Sequence, residues 1–171
     1  MLEPDLKTRF SKIKLLALDV DGTLTDGGLY YSENGEELKK FNVKDGQGIK
    51  RLMQAGIEVA IISANAASAT LHRAKKLGIT HVAIGVEDKL VALQPLCEKL
   101  GLSLDEVAYA GDDVNDLSVM QVVGCPFAIA DGIEATKDCA LYVTKLAGGK
   151  GAVREICELI LASKDKDSTA V

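Results

Sequence analysis

The sequence predicts an α/β protein in which helices flank a parallel β-sheet, and three observations support this prediction. Short apolar runs of strand length alternate with segments of helical length along the 171 residues, which is the pattern of β-α-β units. Glycine follows most of the predicted helices, as it commonly does at helix C-termini. The first apolar run, Leu15–Leu18, continues directly into Asp19-Val20-Asp21-Gly22-Thr23, and open α/β sheets bind ligands where their strands end.

The other predicted strands are short apolar segments bounded by turn-forming residues. They cover residues 57–63, 80–84, 107–110, 126–130 and 141–143. The predicted helices cover residues 45–56, 66–77, 88–101, 113–123 and 152–162. Asp45, Asp88 and Asp113 are the expected N-caps, because an aspartate oxygen can accept a hydrogen bond from the first helical turn. Pro95 is expected to kink or interrupt its helix.

A β-hairpin is predicted between the first two parallel strands. Residues 29–41 have the length of two strands around the turn Glu33-Asn34-Gly35-Glu36, and Asn-Gly is a strong hairpin signal. The hairpin is expected to be the one antiparallel insertion in an otherwise parallel arrangement of strands. Because an isolated hairpin is marginally stable in water, we expect it to pack on another surface, such as a second subunit.

Length and composition favour a single soluble domain over residues 1–163, followed by a polar tail, 164–171, that we expect to be disordered. The net charge of −5 argues against a nucleic-acid partner. No stretch approaches the roughly 18 apolar residues of a membrane span, and the charged N-terminus lacks a signal-peptide core. The four cysteines form no CxxC pair, which favours reduced thiols. We therefore expect a cytoplasmic protein.

Two aspartates at the end of the first strand are the leading candidates for chemistry. Asp19 and Asp21 are one residue apart, and carboxylates this close repel each other unless a cation or a proton lies between them. Mg²⁺, a hard ion that prefers oxygen ligands, would meet this requirement. One aspartate could then attack an electrophile while the other transfers protons. The alternative is an ordinary strand that ends in an Asp-Gly turn.

Other polar residues follow the neighbouring strands. Ser63 ends the second parallel strand, and Asp112, Asp113 and Asp116 follow the fourth. Lys89 lies at the start of a helix, where the helix dipole disfavours a cation, so an anionic partner is expected there. Carboxylates that hold Mg²⁺, together with a hydroxyl and a lysine, form a constellation typical of phosphoryl transfer.

In order and spacing, these residues resemble the four motifs of the haloacid dehalogenase (HAD) superfamily of phosphohydrolases. The resemblance implies a Rossmann-like HAD fold, and the gaps between the motifs leave no room for a cap domain. It implies that Asp19 attacks phosphorus and that Asp21 protonates the leaving oxygen and then activates water. An acid at position 21 favours phosphate-ester hydrolysis, because the superfamily's dehalogenases and phosphonatases lack it.

The same resemblance implies the ligands of the ion and of the phosphoryl group. Mg²⁺ would be held by Asp19, by the backbone carbonyl of Asp21 and by Asp112, and Asp113 and Asp116 would support this site. Ser63 and Lys89 would hold the phosphoryl oxygens. Ser63 and Lys89 therefore count with Asp19 and Asp21 as candidate catalytic residues.

Residues 41–50 and 147–155 are similar to those of the tetrameric 3-deoxy-D-manno-octulosonate 8-phosphate (KDO 8-phosphate) phosphatases. This implies hydrolysis of a sugar acid phosphate to KDO and phosphate in lipopolysaccharide precursor synthesis, by a homotetramer. The Gly-rich segment before Ala152 would reach a neighbouring active site. The implied substrate contacts are Asp21, Asn42, Val43, Lys44, Asp45, Gly46, Lys50, Ala64, Asn65, Arg73 and Lys89.

The sequence departs from the family pattern after Ser63. The family usually has Gly-Arg there, whereas this chain has Ala64-Asn65, and asparagine cannot make a bidentate charged contact with a carboxylate. Lys44 and Lys50 also replace common arginines. Two alternatives therefore stay open: a phosphatase of another sugar acid phosphate, such as a nine-carbon 2-keto-3-deoxy acid 9-phosphate, and a non-catalytic HAD-like oligomerisation module. Arg73 could equally be a surface charge.

Overall fold

The structure, a computed structural model, describes residues 4–164 and contains the predicted parallel sheet. Its six strands occur in the order β5-β4-β1-β6-β7-β8, and all neighbours are parallel. These strands are β1 (Leu15–Leu18), β4 (Glu58–Ile62), β5 (His81–Ala83), β6 (Val107–Gly111), β7 (Cys125–Ala128) and β8 (Tyr142–Val143). The helices are α1 (Pro4–Ser11), α2 (Val43–Gln54), α3 (Ser68–Leu77), α4 (Lys89–Leu100), α5 (Leu117–Met120), α6 (Glu134–Cys139) and α7 (Ala152–Lys164). The predicted α/β fold is therefore confirmed.

Strand β1 lies at the centre of the core and is buried along its whole length. Leu16 and Leu18 belong to one apolar cluster, with residues of α2 and α7. Leu15 and Ala17 face a second cluster on the other side of the sheet, with residues of α4 and α5. A strand that is covered on both faces needs apolar side chains at every position, which explains the continuous apolar run in the sequence.

Two helices differ from the sequence prediction at their starts. Helix α2 begins after Asn42, whose side chain accepts a hydrogen bond from the backbone N–H of Lys44, so Asn42 and not Asp45 is the N-cap. The predicted helix 113–123 is a short 3₁₀ turn, Val114–Asp116, followed by α5. Asp113 does cap this turn, through a hydrogen bond from Val114 N–H.

The helices differ from the sequence prediction in three further ways. Pro95 does not break α4, because the helix is anchored on both sides of it by the buried Leu93 and Cys97. Helix α1, which was not predicted, packs Phe10 against Phe127 with ring centroids 5.1 Å apart. Helix α7 extends to Lys164, so the predicted disordered tail loses its first residue. Residues 165–171 of that tail lie outside the described part of the chain.

The predicted hairpin is present as β2 (Tyr30–Tyr31) and β3 (Glu37–Leu38). It is the one antiparallel strand pair in residues 4–164, and it precedes α2 without any cap domain between β1 and β4. Tyr31 and Leu38 expose 62% and 56% of their surface. None of the helices in the described residues is long and apolar enough to cross a membrane.

Candidate active site

The residues predicted to carry chemistry meet at the carboxyl edge of the sheet. Strand β1 pairs with β4 and with β6, so Asp19, Ser63 and Asp112 follow three adjacent strands. A cleft of about 170 Å³ opens between these strand ends. It is lined by Asp19, Asp21, Ser63, Ala64, Asn65, Asp113 and Asn115.

Lys89 is completely buried beneath this cleft and is paired with two carboxylates. Its Nζ donates to Oδ1 of Asp19 and to Oδ1 of Asp116, each at 2.6 Å. Burial lowers the pKa of Lys89, but the charges of the two aspartates raise it by more, so the net pKa lies above its usual value. The anionic partners expected for a lysine at this helix start are therefore side chains of the chain itself.

Asp116 organises the loop that follows β6. The hydroxyl of Tyr109 donates to its Oδ1 at 2.5 Å, and the backbone N–H groups of Asp112 and Asp113 donate to its Oδ2 at 2.9 and 3.1 Å. Both oxygens of this buried carboxylate are therefore used to hold neighbouring groups. Tyr109 was missed by the sequence analysis, because one tyrosine in a buried strand resembles an ordinary core residue.

Three carboxylates crowd together where the metal is expected. Asp19, Asp112 and Asp116 each offer an oxygen, and these oxygens lie within 4.8 Å of one another. Burial raises the pKa of Asp19 to about 6, with a further contribution from the charge of Asp116. Burial, followed by the charges of Asp19 and Asp116, raises the pKa of Asp112 to about 8. Oδ1 of Asp112 is buried without a hydrogen-bond partner, so the carboxylates of Asp112 and Asp19 fit a hard divalent cation, whereas both oxygens of Asp116 are already engaged.

Asp21 lies at the rim of the cleft and is paired with a residue of the hairpin. Nζ of Lys39 donates to Oδ1 of Asp21 at 2.5 Å and lies 2.7 Å from Oε1 of Glu37. The Lys39 side chain is only 1% exposed, whereas that of Asp21 is 31% exposed. Burial lowers the pKa of Lys39, but its two carboxylate partners raise it by more. The sequence analysis missed Glu37 and Lys39, because charges on a short hairpin resemble a solvated surface.

The side chain of Asn65 is hydrogen-bonded within the protein through both its nitrogen and its oxygen. Its Nδ2 donates to Oε1 of Glu37 at 2.9 Å, and its Oδ1 accepts from Ala67 N–H at 2.7 Å. Ser63, which is 1% exposed, accepts a hydrogen bond from Asn65 N–H through its Oγ at 3.2 Å. Asn65 therefore connects the loop after β4 to the hairpin, and Ala64 is exposed beside it.

Most of the other predicted substrate contacts surround a second cavity, of about 200 Å³, and none of them lines the acidic cleft. Val43, Gly46, Lys50 and Arg73 contribute to its walls. The guanidinium group of Arg73 donates to the backbone carbonyl of Asn42 at 3.0 Å and lies 5.6 Å from the ring centre of Phe41. Arg73 is therefore held in place by the chain and is not a freely solvated charge.

Two predicted substrate contacts have structural partners instead. Asn42 caps α2, and its Nδ2 donates to the carbonyl of Gly149 at 3.0 Å. Asp45 is 1% exposed and accepts from Arg154 N–H at 2.8 Å in the first turn of α7, where a negative charge is favourable. Burial raises the pKa of Asp45, although the hydrogen bond from the Arg154 backbone lowers it in part. Their substrate contacts stay a prediction, as does that of the exposed Lys44.

The Gly-rich segment before α7 packs on the loop of Asp19 and Asp21 in the same chain. Gly149 N–H donates to the carbonyl of Thr23 at 3.2 Å. A Cβ atom at Gly148 would lie 1.9 Å from the carbonyl oxygen of Gly22, so no larger residue fits there. These contacts support the chain's own site, and the implied reach to a neighbouring site stays a prediction.

Comparison with known proteins agrees with this fold and cleft. The family model described as haloacid dehalogenase-like hydrolase matches residues 84–156. The chain is 48% identical to 3-deoxy-D-manno-octulosonate 8-phosphate phosphatase KdsC of Escherichia coli strain K12, over 95% of the chain and 86% of that relative. It is 47% identical to KdsC of Salmonella typhimurium, over 96% of the chain and 88% of the relative.

Solved structures of such phosphatases superpose closely. The enzyme of Yersinia pestis has a TM-score of 0.94 at 47% identity, covering 96% of this chain and 89% of its own. The enzyme of Moraxella catarrhalis, solved with magnesium ion, phosphate ion and KDO, has a TM-score of 0.93 at 43% identity, covering 96% and 94%. The chain therefore belongs to the haloacid dehalogenase-like hydrolases and, among them, to the family of the KDO 8-phosphate phosphatases. The resemblance stated from the sequence is confirmed.

Proposed function

We propose that this protein is a Mg²⁺-dependent phosphatase that hydrolyses KDO 8-phosphate to KDO and inorganic phosphate in the cytoplasm, in lipopolysaccharide precursor synthesis. One observation carries the proposal: 48% identity over 95% of the chain to phosphatases of that name coincides with an intact cluster of Asp19, Asp21, Lys89 and Asp112. A non-catalytic module would have no need for clustered buried charges, which cost free energy unless they have a function.

The metal would be held by the carboxylates of Asp19 and Asp112 and by the backbone carbonyl of Asp21. The partnerless Oδ1 of Asp112 supports this arrangement, and Asp113 and Asp116 would orient the loop around it. When bound, the ion would supply positive charge to the oxygens of the phosphoryl group.

Asp19 would attack phosphorus and displace the sugar oxygen, which gives an aspartyl-phosphate. Lys89 touches Asp19 and would orient it, and Lys89 and Ser63 would hold the phosphoryl oxygens. Asp21 would donate a proton to the leaving sugar oxygen and then accept one from the water that attacks the aspartyl-phosphate. Its partial exposure at the rim suits both transfers, because leaving group and water enter and leave there.

The carboxylate of the sugar acid needs cations outside the acidic cleft. Lys50 and Arg73, on the second cavity, and the exposed Lys44, in the first turn of α2, are our candidates, since cationic side chains bind carboxylates by charge-assisted hydrogen bonds. Val43 and Gly46 would form part of the wall around the substrate, and Ala64 would leave space for it beside Asn65.

A second candidate substrate is favoured by Asn65. Because its amide is paired with Glu37 and carries no charge, the recognition that an arginine would give to an eight-carbon acid is absent. A nine-carbon 2-keto-3-deoxy acid 9-phosphate is therefore the alternative, with the same chemistry at phosphorus.

The experiment is phosphate release from KDO 8-phosphate, a nine-carbon 9-phosphate, glucose 6-phosphate and p-nitrophenyl phosphate, with Mg²⁺ and with EDTA. We expect a Mg²⁺-dependent preference for KDO 8-phosphate. A preference for the nine-carbon ester would support the alternative, and no release from any ester would overturn the phosphatase proposal. Asp19→Asn, nearly isosteric, is expected to abolish turnover, and Asp138→Asn, at an exposed position of α6, is its matched control.

We also propose that residues 1–163 form one domain and that four copies assemble. The apolar side chains that the hairpin exposes on both of its faces support assembly, because exposed apolar surface commonly marks an interface. These side chains are Leu29, Tyr30, Tyr31 and Leu38.

A further inference from the structure

Lys39 is a buried cation that belongs to the hairpin and not to the motifs of the cleft. Its side chain is 1% exposed, and its Nζ lies 2.5 Å from Asp21 and 2.7 Å from Glu37. The next cation of the hairpin, Lys40, pairs with Asp26 at the surface and keeps 55% of its side chain exposed. Lys39 therefore connects the hairpin directly to the carboxylate at the rim.

Glu37 is itself held in place from the other side of the cleft. Its Oε1 accepts from Asn65 Nδ2 at 2.9 Å as well as from Lys39. Oε2 of Glu37 accepts from the Tyr31 hydroxyl at 3.3 Å. A continuous path of hydrogen bonds thus runs from Asn65, after β4, through Glu37 and Lys39 to Asp21, after β1.

Packing alone does not account for a lysine at this position. Burying an ammonium group is costly even when it is paired, and an apolar side chain of similar length would fill the same space without that cost. The pairing has one geometric result: it fixes Oδ1 of Asp21, a carboxyl group that would otherwise rotate freely at a partly exposed rim.

We propose that Lys39 is a positioning residue for Asp21, so that the hairpin of each chain takes part in that chain's own proton transfer. Lys39 would hold one oxygen of the Asp21 carboxyl group, which leaves the other directed at the leaving oxygen of the substrate. No bond to phosphorus involves Lys39, and it transfers no proton. The inference rests on the proposed role of Asp21, whichever sugar phosphate is the substrate.

The test uses leaving groups that differ in their need for a proton. A sugar alkoxide needs protonation to leave, whereas p-nitrophenolate leaves without it. Leaving-group release is measured in single turnovers with enzyme in excess, so that only the first chemical step is observed. The substrates are KDO 8-phosphate and p-nitrophenyl phosphate, and the variants are Lys39→Met and its matched control on the next residue, Lys40→Met.

We expect Lys39→Met to slow release of the sugar about tenfold or more, while half-saturating substrate concentration and nitrophenolate release change less than about twofold. Lys40→Met is expected to behave as the wild type on both esters. Lys39→Arg, which keeps a cation near both carboxylates, is expected to restore part of the sugar release. If Lys39→Met fails to fold, Glu37→Gln takes its place in the same comparison. This variant removes one support of Lys39, so we expect a smaller loss of sugar release, again without an equal loss of nitrophenolate release.

An equal loss on both esters, or a loss that appears only in the half-saturating concentration, would overturn the positioning role. The substrate proposal fails separately, if the wild type cleaves p-nitrophenyl phosphate and another alkyl phosphate but not KDO 8-phosphate. In that case the same comparison is made with that alkyl ester, so the positioning role of Lys39 is still tested.

Discussion

The ammonium nitrogen of Lys89 lies 2.6 Å from Oδ1 of Asp19, and both side chains are nearly or completely buried. Lys89 contacts Asp116 at the same distance, so a single positive charge compensates two aspartates of the proposed active site. An arrangement with more buried negative than positive charge is costly, and a bound divalent cation would correct the imbalance. We therefore expect the stability of this protein to depend on both pH and bound metal.

Replacing Lys89 should cost both stability and activity. Lys89→Met leaves Asp19 and Asp116 buried without a cation, and breaking such a pair typically costs about 3–5 kcal/mol. We expect a lower free energy of unfolding in urea with EDTA, and phosphate release below detection. Lys99→Met, on the exposed side of the same helix, is the matched control. Unfolding at the wild-type urea midpoint would contradict the pairing.

The metal-free protein should lose stability as the pH rises. In the folded state the pKa values of Asp19 and Asp112 are about 6 and about 8, above the ordinary 3.8. Well below pH 3.8 both groups are protonated in either state, whereas at higher pH the folded state alone resists their ionisation. The loss therefore develops between about pH 4 and pH 8.

Mg²⁺ binds the ionised carboxylates, so the gain in melting temperature on adding it should be larger at pH 8.5 than at pH 5. Thermal melts with Mg²⁺ and with EDTA at both pH values measure this gain. Asp112→Asn should remove most of the pH dependence in EDTA. The same gain at both pH values would show that these aspartates are not the ligands.

Asn65→Arg should lower the KM for KDO 8-phosphate several-fold, since a guanidinium group at the cleft could bind the substrate carboxylate. Glu37, which now accepts a hydrogen bond from the amide of Asn65, would hold that guanidinium group at the opening of the cleft. Steady-state kinetics measure the effect, and Asn65→Gln, which keeps the amide, is the control. An unchanged KM would mean that Glu37 neutralises the arginine or that Lys44, Lys50 or Arg73 already binds the carboxylate.

A charge on the exposed face of the hairpin should break the proposed tetramer. Leu38→Lys places an ammonium group beside Tyr30, its cross-strand partner, and burying it at an interface would be unfavourable. We expect light scattering to report a smaller assembly than for the wild type. Val91→Lys, on the exposed side of α4, is the control and should not change the mass. A wild type that is already monomeric would refute the tetramer.

The central strands and their polar ends were predictable from the sequence, because a buried parallel strand must be continuously apolar and its ligands must follow it. Contacts between distant segments were not. Asn42 and Asp45 are both good N-caps, and the choice between them depends on Arg154, 109 residues away, whose N–H engages Asp45. Lys39 was equally hidden, since its neighbours Glu36, Glu37 and Lys40 make it look solvated until the fold brings Asp21 to it.

The close approach of Gly148 to Gly22 has a consequence for large-scale mutagenesis. With 1.9 Å between an added Cβ and the Gly22 carbonyl, every substitution at position 148 would displace the loop that carries Asp19 and Asp21. A library scored for phosphatase activity should therefore rank Gly148 among the least tolerant positions. An investigator who sees only such a map would take this residue, which touches no reacting atom, for a member of the catalytic set.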